Sequence, residues 1–185
     1  MTPRTFRFIA ETSRQYKNFN IKLKSEVWWM RALGTFLKIV TFGSQKTFMT
    51  SYITTIGHTI YVPDGWDDWD EDNRIEVLRH ERVHMDQADR YTLPLFALLY
   101  IFTPLPLFLA YFRAKFEREA YKESLAAIYE MRPERLDMPG LRDWYISQFT
   151  SGAYGWMWPF RKTISRWYDE DVWAVKSGAK KQPSP

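Results

Sequence analysis

His80, Glu81 and His84, in the run His80-Glu81-Arg82-Val83-His84, combine two imidazoles and a carboxylate at a spacing that suits metal-assisted hydrolysis. On a helix, residues four apart share a face, so His80 and His84 can hold one ion together. Glu81 stands one step round from His80, able to reach a water on the metal without ligating the metal itself. Zinc lowers the pKa of such a water towards neutrality, and Glu81 would take its proton as general base. The bland reading of the same pattern is a pair of histidines on an ordinary solvated helix. Against it, the chain has three histidines in all, and the match falls in a segment with independent helix signals.

A catalytic zinc takes three protein ligands and keeps one position open. The chain has no cysteine, so the third ligand must be a histidine or a carboxylate. His58 lies in an expected hairpin turn and reads better as a loop residue. Downstream, Glu117 and Glu119 point to roughly opposite sides of one helix. The face of Glu117 carries Ala110, Ala114, Ala120, Tyr121, Ser124 and Ile128, whose small members let another helix come close. The face of Glu119 carries Lys115, Lys122 and Glu123, the composition of a solvated side. Periodicity therefore favours Glu117 over Glu119. The expected set is His80, His84 and Glu117 on Zn2+, although other divalent ions accept the same donors. Tyr121 and Tyr154 are candidate hydrogen-bond donors to a tetrahedral intermediate by residue type alone; a tyrosine in so aromatic a chain is more often packing.

HExxH followed about thirty residues later by Glu-x-x-Ala on a helix resembles the gluzincin group of zinc metallopeptidases. The resemblance implies Glu117 as third ligand. The stretch Thr54 to Pro63, with Glu117-Arg118-Glu119-Ala120-Tyr121, is also similar to metallopeptidase-like proteins of bacteria and their phages. The resemblance covers roughly residues 48 to 131. Many gluzincins carry Asp directly after that alanine, where this chain has Tyr121; Gln87, one turn after His84, is a candidate for the outer partner that orients a ligand.

Several elements must position these residues. Glu26 to Val40 shows a broad apolar helical face. Phe48 to Val62 is rich in β-branched and aromatic residues around Gly57-His58, which predicts a β-hairpin. Pro63-Asp64-Gly65 ends it. The acidic run Asp67 to Asp72 supplies caps and favourable charge for a helix from about Asn73 to Arg90, which carries the motif. A long helix reaches about Met131. The C-terminal third reads as aromatic and irregular.

From Tyr91 to Phe112 no residue is charged, a length that could suggest a membrane span. One straight helix of that length would hold its ends about 33 Å apart, yet His84 and Glu117 flank it and must approach one ion. Pro104-Leu105-Pro106 sits where a reversal is needed. The expectation is a helical hairpin with arms near 91–102 and 106–112, packed in the domain or touching a membrane surface or protein partner.

The 185 residues suit a single domain over 1–175, followed by a disordered tail over 176–185. The expected fold is α+β and zincin-like, predominantly helical, with a small β-hairpin or sheet ahead of the HExxH helix. Aromatics at 18% favour a ring-rich core or an interaction surface. The net charge of +4, concentrated at the ends, reads as solvated surface, and nucleic acid is not expected as a partner. No secretory signal is visible at the start, so the cytoplasm is the default location, with membrane association or a larger assembly as alternatives. The expected function is zinc-dependent hydrolysis of peptide bonds, with a peptide or protein substrate paired along an edge strand. The alternative is a catalytically silent structural or interaction protein on this fold, for which a larger, virion-like assembly is one setting.

Overall fold

Proline at the first helical position, with its φ already helical, opens α1, Pro3–Gln15. The computed structural model describes residues 2–40, 49–50, 52–92, 94–96, 109–151 and 157–178. After α1 comes strand β1, Asn20–Leu23, then a single 3-10 turn over Lys24–Glu26 and helix α2, Trp28–Val40. The α2 helix begins two residues later than its apolar periodicity predicts, because Val27 is extended after the 3-10 turn.

Strands β2, Thr54–Ile56, and β3, Thr59–Val62, form the expected hairpin. Their two-residue loop has Gly57 at φ 57°, the positive value a tight hairpin of this kind places on its first residue. The β1 strand has no counterpart in the sequence reading. It pairs in parallel with β3 and makes β3 the centre of a three-stranded sheet ordered β1-β3-β2. The central position explains why Ile60 and Val62 are almost wholly buried.

Helix α3, Glu71–Tyr91, starts as the acidic run requires: Asp70 Oδ2 accepts from the Asn73 amide at 3.3 Å. Arg4 of α1 bonds Glu71 at 3.0 Å and also pairs with Asp72, which ties the two helix starts together. The buried side of α3 places Leu78 and Met85 against Tyr16, Ile60, Val62 and Trp66.

Helix α4, Leu109–Met131, ends where predicted. The C-terminal third is not irregular. It forms α5, Pro139–Thr150, and α6, Arg161–Lys176. Both bury a 3.6-residue stripe: Leu141, Tyr145, Ile146 and Phe149 on one, Ile164, Trp167, Tyr168, Asp171 and Val175 on the other. Exposed rings such as Trp144 and Trp173 and the buried Asp171 blur that stripe in hydrophobicity alone.

The chain divides into two compact units, Met1–Arg90 and Tyr91–Pro185. The first holds the sheet with α1, α2 and most of α3; the second is helical around a core that includes Tyr121, Leu125, Ile128, Tyr145, Phe149 and Trp167. The fold is α+β, mostly helical with one small sheet. Of the expected helical hairpin, 93 and 97–108 lie outside the described residues, and 109–112 open α4. Of the expected tail, Lys176 closes α6, and 179–185 lie outside the described residues. No helix among the described residues is long and apolar enough to cross a membrane.

Candidate metal centre

The α3 helix brings His80 and His84 onto one face, with their Nε2 atoms 3.2 Å apart and the rings nearly perpendicular. His84 is 7% exposed. Its Nδ1 is 2.9 Å from Gln87 Oε1, one turn along the helix, and Gln87 is itself fully buried. An amide oxygen only accepts, so Nδ1 carries the hydrogen and Nε2 presents its lone pair. This is the partner that sequence spacing nominated, and it fixes the tautomer a metal-binding histidine needs.

Glu81 is also 7% exposed. A carboxylate so enclosed needs a donor, and Thr55 on β2 provides it: its hydroxyl donates to Glu81 Oε2 at 2.6 Å. Oε1 has no hydrogen-bond partner among the described residues. Sequence reasoning did not find Thr55, because nothing local marks which threonine of a strand meets a helix 26 residues later.

Lys24 was missed too. It is fully buried just after β1, and its ammonium donates to the Tyr52 carbonyl at 2.8 Å. Burial pulls its pKa down to about 8, opposed by the charge of Glu81. In the sequence it is one more lysine in a basic N-terminal stretch.

His58 stays apart from this pair. Its Nδ1 faces the Lys17 carbonyl at 2.9 Å and its Nε2 the Asp89 carboxylate at 2.8 Å. Both neighbours are acceptors, so the ring bonds both as the imidazolium, and the Lys17 carbonyl first and Asp89 after it raise its pKa against the effect of burial.

The other candidates belong to the second unit. Glu117 on α4 is 2% exposed, while Glu119 is exposed, the two sides that periodicity predicted. Tyr121 is buried among Trp144, Tyr145 and Phe149, and its hydroxyl is 3.5 Å from Gln148 Oε1. Tyr154 lies outside the described residues.

The donor chemistry fits a divalent cation. Two imidazole nitrogens aimed at one point repel unless a hydrogen or a cation lies between them, and a cation bonds both lone pairs at once. No protein-family model, curated protein or solved structure matches the chain.

Proposed function

We propose that this chain is a zinc-dependent peptidase of zincin-like fold, in which His80, His84 and Glu117 bind the metal and Glu81 is the general base. The observation that carries the reading is the 3.2 Å approach of the two Nε2 atoms beside a carboxylate tethered by Thr55. A four-coordinate ion with bonds of about 2 Å asks its ligand atoms to lie roughly 3.3 Å apart, close to the 3.2 Å between the two Nε2 atoms. The resemblance of both motifs to gluzincins supports the same assignment.

Zinc, when bound, supplies a Lewis acid that acidifies water and polarises the scissile carbonyl. Glu81 takes the proton of the attacking water at Oε1, while Thr55 holds Oε2. Gln87 keeps the proton of His84 on Nδ1. The β2 strand is an edge of the sheet and offers backbone groups to an extended peptide.

The test is metal content per chain by elemental analysis, after chelator-free purification from zinc-replete medium. About one zinc per chain is expected, as one three-ligand site implies. It should be lost in His80→Ala and Glu117→Ala and kept in Glu119→Ala. Glu81→Gln should keep the zinc and cleave a mixture of quenched fluorescent peptides about 100-fold more slowly or worse. A folded protein that binds no zinc on titration would overturn the proposal.

A further inference from the structure

Lys24 is the one lysine in the described core whose charged end is wholly buried, and its place in the sheet says what it holds. It directly follows Leu23, which pairs with Val62 at the end of β3. On the other side of β3, Thr54 pairs with Tyr61, so Tyr52 stands just past the point where that ladder ends. Two strand spacings, about 9.6 Å, separate the edge strands. The Lys24 side chain crosses this gap past the end of β3 and donates to the Tyr52 carbonyl at 2.8 Å.

What it steadies is short. The β2 strand makes three paired positions with β3, and Thr55 is the middle one. That same Thr55 holds Glu81 Oε2. The charge of Glu81 acts in turn on Lys24. A methionine would fill the same channel without the cost of burying an ammonium, so packing alone does not call for lysine here.

We propose that Lys24 is a positioning residue for Glu81: it clamps the start of β2 through the Tyr52 carbonyl and so delivers the Thr55 hydroxyl to the carboxylate. The importance of that delivery rests on the reading of Glu81 as the base. The clamp itself is tested without it, on the metal-free full chain, so its failure and a failure to bind zinc are separate results.

The first arm compares wild type with Lys24→Met by NMR. The expected result is a displaced Thr55 methyl resonance and about tenfold faster amide exchange confined to 54–56, the loss of one charge-assisted hydrogen bond. Exchange in α5 and α6 should not change. A folded variant with an unmoved Thr55 methyl and unaltered exchange at 54–56 overturns the proposal, as does faster exchange throughout the first unit, which marks a general structural role. The second arm needs no change at Lys24 and decides the matter if that variant does not fold. Lysine side-chain carbon shifts should show Lys24 titrating near pH 8 in wild type and at lower pH in Glu81→Gln, where the opposing charge is gone. An identical titration in both proteins would show that Lys24 does not share an environment with Glu81, and would overturn the proposal.

Discussion

Thr55 on β2 and Glu81 on α3 are joined by a 2.6 Å hydrogen bond that links the edge of the sheet to the helix of the metal motif. Replacing Thr55 by valine keeps the shape of the side chain and removes the only hydrogen donor to Oε2 among the described residues. An enclosed carboxylate without its donor costs about 1–3 kcal/mol, which urea unfolding of the metal-free protein would read. Zinc content should stay as in wild type while peptide cleavage falls, and Thr55→Ser should recover both stability and rate.

His84 and Gln87 form the second relationship that matters. Gln87→Leu removes the oxygen that keeps the His84 proton on Nδ1. Zinc affinity is expected to fall about 10- to 100-fold, the usual effect of losing such an outer partner. Competition against a chromophoric chelator measures it. Unchanged affinity in a folded Gln87→Leu protein would remove Gln87 from the site.

His58 makes stability depend on pH with a definite sign. Its folded pKa is raised above the ordinary 6.5, because the Lys17 carbonyl and then Asp89 bond the imidazolium. Its contribution is therefore complete below pH 6.5 and is lost as pH rises through the folded value. The difference in urea midpoint between wild type and His58→Gln should be larger at pH 5.5 than at pH 8.5. A difference that does not vary with pH would contradict this account.

In the second unit, Arg118 bonds both oxygens of Asp171 at 3.0 Å and stacks over Trp167 at 4.9 Å. Asp171 is 3% exposed, and burial raises its pKa even with Arg118 beside it. Arg118→Met leaves that carboxylate, among the described residues, with the Tyr145 hydroxyl as its hydrogen-bond donor and should cost about 3–5 kcal/mol in urea unfolding. The double change Arg118→Met with Asp171→Leu should recover most of the loss, since an apolar pair can replace a buried ion pair.

How far the sequence reaches differs from element to element. Helix α3 was legible because capping acids, helix formers and the four-residue histidine spacing agree on one conformation. The two sides of α4 were legible because alanines cluster on the side of Glu117 and lysines on the side of Glu119. The loop at Gly57-His58 was legible because glycine serves a tight turn. Helices α5 and α6 were misread for a physical reason: large rings lie on both their exposed and buried sides, so hydrophobicity does not mark the stripe that 3.6-residue spacing still contains.

By itself, then, the sequence determined local matters: which segments coil, where a hairpin turns, which faces are apolar, and that one helix carries two imidazoles and a carboxylate in register. These follow from interactions between residues a few positions apart. The tertiary structure alone decided that β1 joins the sheet in parallel, that Thr55 rather than Thr54 meets Glu81, and that Lys24 is buried against the Tyr52 carbonyl. Those contacts join residues 26 to 39 positions apart, and no local pattern specifies them, because strand order and register emerge only when the core closes.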